Sequence, residues 1–541
     1  MSERKKLRSR LGDDVKQRAW LFITALMPMA IWPLSAGILA RPMEAAVWAL
    51  ACALLIASPP GRGMRISAWL QILTLPWTFA WIGTIAVTGA GPSNAVMASA
   101  TAGAFREALM GASLAVAKPS FIVVALLTLG TCCWSLWVTR KAQRQTGSAV
   151  SVLFLCCLVP ISAVILDGGG FLSFAKIAGP ESRISVVWIS HMGIAKEALA
   201  SALNRAAFGS HDFEEKIREA SAAKKVFSAN AGLGVFIVGE SLRADAFLQT
   251  KRGQWSEALE ERIQAGLGIR LPDACAGANG TFASIPRLLT AVDVSDVEGA
   301  ARNPTLLAMA KAGGARTAYI NNQEIWVLPE SGHDLLQKTS SMNMNAYDEV
   351  VIEALGDFVK RTGPGPKAAL LHLYGEHFYY EKRYPVGLFG EEPPNLSGDA
   401  LEEFRYGRAA EYGVRVLLLA AAVLDRETEP AFLVFTSDHG ENLPSDGTGK
   451  RYHTGPSNGR YDTTVPALVL WNKAFQASGR ASLLEDLMKA KGLIAHRDVA
   501  RAWLALEGMP GRVAPPENPM TWGAAEPGGA IGPTSCAALK P

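Results

Sequence analysis

Asp438 and His439 stand side by side shortly after the apolar run 431–435, beyond Thr436 and Ser437, offering a carboxylate oxygen and an imidazole nitrogen at one point of the chain. A second run, 233–238, leads into Gly239, Glu240 and Ser241 and brings another acid. Hard oxygen and borderline nitrogen donors of this kind are what zinc accepts. A hydroxyl held against such an ion is partly deprotonated at neutral pH and becomes a nucleophile. Thr281, in Gly280-Thr281-Phe282-Ala283-Ser284-Ile285-Pro286, supplies a hydroxyl where a loop turns into a helical pattern, so free backbone N–H groups would face an incoming phosphate. A third run, 368–373, carries His372 and precedes Glu376 and His377, and His453 follows later. Each signal alone has a plainer reading: Thr281 as a helix cap, Glu240 as a surface acid beside Arg243, His372 as a core histidine. Together, in this order, they are far more specific.

The elements that must position these groups read as short apolar strands at 233–238, 317–320, 368–373, 431–435 and 467–470, separated by loops and helical patterns. That alternation predicts an α/β sandwich with a largely parallel central sheet. In such sheets functional groups gather at the carboxyl ends of the strands, where the acids and histidines fall.

The same residues resemble the phosphoethanolamine transferases of the alkaline phosphatase and sulfatase superfamily. The resemblance is carried by Gly239-Glu240-Ser241-Leu242-Arg243-Ala244-Asp245, Thr281 to Pro286, Leu371-His372 with His377, Tyr380-Glu381-Lys382-Arg383-Tyr384-Pro385, Ser437-Asp438-His439-Gly440-Glu441 and His453. It implies an α/β sandwich of alkaline phosphatase type in which Glu240, Thr281, Asp438 and His439 bind zinc. Thr281 would be the nucleophile, with His453 or His377 moving protons. His372, His377 and His453, with Asn322 in Asn321–Gln323, would serve the substrate phosphate or a second metal. The implied reaction takes phosphoethanolamine from phosphatidylethanolamine to lipid A, a core sugar or another envelope glycan through a covalent intermediate. Two departures stand out. Arg287 occupies a position where lipid A members carry a cysteine, and Trp326 and Val327 stand where a lysine is expected. A phosphoglycerol transferase using phosphatidylglycerol is the nearest rival. A sulfatase-like hydrolase is a second, although Ser284-Ile285-Pro286-Arg287-Leu288 misses the formylglycine pattern by one place. An inactive membrane sensor is the alternative outside enzymology.

The chain is 541 residues long and 49% hydrophobic, with a formal charge of +4. Its apolar residues concentrate before Leu166, in five candidate spans near 19–40, 45–58, 66–88, 121–138 and 149–166. Arg4, Lys5, Lys6, Arg8 and Arg10 precede the first span, Arg62 and Arg65 follow the second, and Arg140, Lys141 and Arg144 follow the fourth. Basic clusters mark cytoplasmic ends, so the sequence after Leu166 is expected outside, in the periplasm of a bacterial inner membrane. The predicted organisation is a transmembrane anchor over 1–167, an amphipathic linker over 168–232, a catalytic domain over 233–510 and a flexible Pro, Gly and Ala-rich tail over 511–541. An outward-facing domain permits, without requiring, a bridge between Cys275 and Cys536. The modest charge, placed near the membrane segments, gives no reason to expect nucleic acid.

Overall fold

The computed structural model describes residues 232–249, 253–296, 299–300, 303–323, 334–338, 347–453, 457–508, 518–523 and 532–539, with isolated helical positions between 116 and 129. The chain divides into two compact units, residues 1–203 and 204–541. Apart from those isolated positions, the five expected spans lie outside the described residues, as does the expected linker 168–232 except Gly232. Among the described residues, no helix is long and apolar enough to cross a membrane.

In the second unit the strands are β1 (Leu233–Gly239), β2 (Gly268–Arg270), β3 (Ala274–Cys275), β4 (Arg316–Asn321), β5 (Leu335–Lys338), β6 (Lys367–His372), β7 (Ala431–Ser437), β8 (Thr464–Val465), β9 (Ala467–Trp471), β10 (Ile494–Ala495), β11 (Met520–Gly523) and β12 (Gly532–Ser535). Seven of them form one sheet in the order β2-β9-β7-β1-β6-β4-β5. From β7 to β5 the neighbours are parallel. Strand β9 runs antiparallel to both β7 and β2, so the sheet is mixed and mostly parallel.

Central strand β1 is apolar without alternation, and all seven of its residues are buried. A strand covered on both faces requires this. Phe236 and Val238 meet Ile285, Leu288, Leu306 and Trp503 on one face. On the other, Leu233, Val235 and Ile237 meet Leu259, Leu355, Tyr406 and Leu417. The helices supplying these layers are α1 (Gln254–Gln264), α2 (Thr281–Leu289), α3 (Leu306–Ala312), α4 (Glu349–Thr362), α5 (Gly398–Leu424) and α6 (His496–Glu507). Helices α2, α3 and α6 cover the first face, and α1, α4 and α5 the second.

The expected flexible tail over 511–541 needs correction at 518–523 and 532–539. There β11 and β12 pair antiparallel, Trp522 bridges to Ala278, and Cys536 is disulfide-bonded to Cys275 of β3. A segment so poor in large apolar residues builds no core of its own. It is ordered instead by backbone hydrogen bonds and a covalent tie to the main domain.

Candidate active site

Strand β1 ends in a sharp turn at Glu240 and Ser241, where Ser241 takes the left-handed backbone conformation (φ 59°). The Tyr406 hydroxyl, from α5, holds that turn by donating to the Ser241 carbonyl at 2.7 Å and accepting from the Arg243 N–H at 3.0 Å. Gly375, after β6, lies so close to the Glu240 backbone that an added Cβ would sit 2.7 Å from its nitrogen. Two further left-handed residues, Tyr379 and Tyr452, flank His377 and His453. Left-handed non-glycine residues cost free energy and persist only where the surroundings impose them.

Glu240, Asp438 and His439 come together at the carboxyl ends of the adjacent strands β1 and β7, all three buried. His439 Nε2 lies 3.2 Å from Glu240 Oε1 and 3.3 Å from Asp438 Oδ2. Thr281 Oγ1 is 3.2 Å from Glu240 Oε2 and 3.1 Å from His439 Nε2. Thr281 is the first residue of α2, not its cap: Gly280 occupies that position, and the threonine hydroxyl turns toward the acids. The helix-cap reading of Thr281 therefore does not hold.

Whether this group fits a cation turns on its free donor atoms. His439 Nδ1 lies 2.8 Å from the Gly440 carbonyl, which fixes the proton on that nitrogen and turns the Nε2 lone pair toward the acids. Asp438 Oδ1 accepts the backbone N–H groups of Ser241 and His439. Its other oxygen, Oδ2, is buried and faces His439 Nε2 at 3.3 Å, on the side of the Thr281 hydroxyl. Two carboxylates, one oriented imidazole and a hydroxyl then converge as oxygen and nitrogen donors, a set that suits zinc. The electrostatics agree. Burial and the Glu240 charge push Asp438 up, while burial would lower His439 and the charges of Asp438 and Glu240 outweigh it and push it up. Buried negative charge here calls for a proton or a cation.

Glu240 also belongs to a second trio with His377 and His453. Burial pushes His377 down to about 3, leaving a neutral imidazole. His453 Nδ1 lies 3.3 Å from Ser241 Oγ and 3.4 Å from each oxygen of buried Glu441. The structure does not bring His372 into either trio. It ends β6, and burial pushes it down to about 4. Asn322 spends its side-chain amide on Asp348 Oδ1 at 2.8 Å, and Asp348 in turn holds the Tyr374 and Gly375 N–H groups. Its neighbour Gln323 is the residue that reaches the centre, donating to Glu240 Oε2 at 2.9 Å. Sequence reasoning chose Asn322 and not Gln323 from the segment 321–323, weighed Ser241 only as an alternative nucleophile, and gave Glu441 no role. Ser241 next to Glu240, and Glu441 two residues after His439, were the available signal.

A sulfatase family model matches residues 233–509. Phosphoethanolamine transferase EptC of Escherichia coli is 26% identical over 228 residues, 38% of this chain and 38% of that protein. Phosphoethanolamine transferase CptA of Salmonella typhimurium is 26% identical over 249 residues, 42% of each chain. The matched region thus spans less than half the length of these curated relatives. Among solved structures, the integral membrane protein lipooligosaccharide phosphoethanolamine transferase A of Neisseria meningitidis has a likeness of fold, with a TM-score of 0.61 and 15% identity over 91% of this chain and 95% of that one.

Proposed function

The chain belongs to the sulfatase family, and from that premise we propose that it is a zinc-dependent transferase of phosphoethanolamine, from phosphatidylethanolamine to an envelope glycolipid or glycan. The observation that carries this reading is the Thr281 hydroxyl at the first turn of α2, 3.2 Å from Glu240 Oε2 and 3.1 Å from His439 Nε2. The curated relatives it resembles are named for that transfer. The disulfide between Cys275 and Cys536 accords with an oxidising compartment, here the periplasm, with the chain anchored in the inner membrane near its lipid donor.

Glu240, Asp438, His439 and Thr281 would hold the zinc. When bound, the ion supplies positive charge that lowers the pKa of a ligated hydroxyl and offsets negative charge on a phosphate. Thr281 Oγ1, its own proton already given up to solvent, attacks the phosphorus of the lipid headgroup as the alkoxide, the form in which it is later released. The bond from phosphorus to the diacylglycerol oxygen breaks; with His377 buried and neutral, diacylglycerol leaves with a proton from His453. The acceptor hydroxyl then attacks the same phosphorus, giving its proton back to that histidine, and Thr281 Oγ1 is released. Glu441 and Ser241 orient His453, and Gln323 holds one Glu240 oxygen, so the protonatable and ligating atoms keep their facing.

Diacylglycerol release from vesicles of phosphatidylethanolamine, compared with phosphatidylglycerol vesicles and a sulfate ester, tests this function. Release from phosphatidylethanolamine is expected. Turnover of phosphatidylglycerol alone would move the assignment to phosphoglycerol transfer, and cleavage of the sulfate ester alone to a sulfatase.

A further inference from the structure

The C-terminal ribbon reaches farther than its disulfide requires. Cys536 alone would tie it to β3, yet Trp522 of β11 grips the segment around Thr281 on both sides in sequence. Its backbone N–H donates to the Gly277 carbonyl at 2.9 Å, and its indole lies 5.0 Å under the guanidinium of buried Arg287 on α2. Arg287 is fixed in turn by its Nη1 on the Ala283 carbonyl at 2.6 Å and its Nε on the Val294 carbonyl at 2.9 Å. From the opposite side, His496 of α6 accepts the Gly277 N–H at 3.1 Å and lies 3.0 Å from the carbonyl of Ser437, the residue before Asp438. Ser284 on α2 donates to the Asp438 carbonyl at 2.6 Å. The ribbon also touches the loop beyond His453, where Asn458 Nδ2 donates to Thr521 Oγ1 at 3.4 Å. Gly277 is therefore clamped between the ribbon and α6, and α2 between the ribbon and the metal-side strand end.

We propose that Trp522, acting through Arg287 and Gly277, is a positioning residue that sets the register of α2 and so the distance from Thr281 to Glu240 and His439. This rests on the reading of Thr281 as nucleophile. A planar guanidinium over an indole is attractive and directional, whereas lysine keeps the charge without the flat stacking face. Removing the indole frees α2 to shift, and misplacement on the order of 1 Å costs about 100-fold in rate without removing any group that binds substrate.

The test uses the full-length protein in detergent with phosphatidylethanolamine, comparing wild type with Trp522→Ala, Trp522→Phe and Arg287→Lys. For Trp522→Ala the expected results are amide exchange about tenfold faster in peptides covering 277–289, with peptides from β1 and β6 unchanged. The expected kcat for diacylglycerol release falls about 100-fold with KM unchanged within about twofold. Trp522→Phe, which keeps an aromatic face, restores most of both, and Arg287→Lys reproduces the loss from the other side of the stack. Should Trp522→Ala fail to fold, Arg287→Lys decides. Unchanged exchange at 277–289, faster exchange spread equally over the sheet, or a rise in KM alone would overturn the proposal. If wild type releases no diacylglycerol, the nucleophile reading falls, and the exchange data alone judge the clamp.

Discussion

Thr281 Oγ1 and His439 Nε2 stand 3.1 Å apart, and the other ring nitrogen of His439 is committed to the Gly440 carbonyl at 2.8 Å. The hydroxyl thus faces the lone pair of the imidazole, with Glu240 and Asp438 completing the group. Such a facing is of little use to a helix cap and well suited to a shared cation.

Metal content should follow the membership of the two trios. Glu240 belongs to both, His439 to one and His377 to the other. Zinc measured by mass spectrometry on purified full-length protein should be lost most completely in Glu240→Ala and strongly reduced in His439→Ala. His377→Ala should keep the ion held by Asp438 and His439. Full zinc content in Glu240→Ala would contradict the metal site.

Stability should depend on pH through Glu507, far from the chemistry at the start of β1. Its carboxylate is fully buried against Gly234 with no hydrogen-bond partner among the described residues. Burial pushes it from 4.5 up to about 8, against the opposing pull of Arg480. Between those values the unfolded chain has released the proton and the folded chain has kept it. The contribution is therefore full below pH 4.5, shrinks as pH rises and is gone above pH 8. The loss approaches about 1.4 kcal/mol per pH unit at most. Urea midpoints at pH 6 and pH 8 should fall for wild type and change less for Glu507→Gln. Equal pH dependence of the two proteins would refute the assignment.

The disulfide predicts its own cost. Peptides containing Cys275 and Cys536 should be joined in a non-reducing digest. Replacing both by alanine should lower unfolding free energy by about 2–4 kcal/mol in denaturant titration. Separate peptides in protein recovered from the periplasm would remove the tie.

Much of this was legible in the sequence for physical reasons. Strands β1, β4, β6, β7 and β9 declare themselves as continuous apolar runs because each is covered on both faces. The three-residue β2 and the mixed Leu335–Lys338 carry too little apolar signal, and an apolar run does not encode direction, so the antiparallel setting of β9 was hidden. Glu240, Asp438 and His439 were readable because strand ends expose acids and histidines in one place. Asn322 and Gln323 differ by one residue, and beyond a strand end no periodicity tells which of two amides turns inward. The ribbon escaped detection because its order comes from Cys275, Gly277 and Arg287, distant in sequence, and not from its own composition.

The central claim is that Thr281 carries the headgroup. Full-length protein incubated with phosphatidylethanolamine and no acceptor, then digested and analysed by mass spectrometry, should show a phosphoethanolamine addition on the peptide containing Thr281. Thr281→Ala should be folded, inactive and unmodified, with Thr281→Ser retaining some turnover. An addition mapped to Ser241 or Ser284, or normal diacylglycerol release by Thr281→Ala, would contradict it.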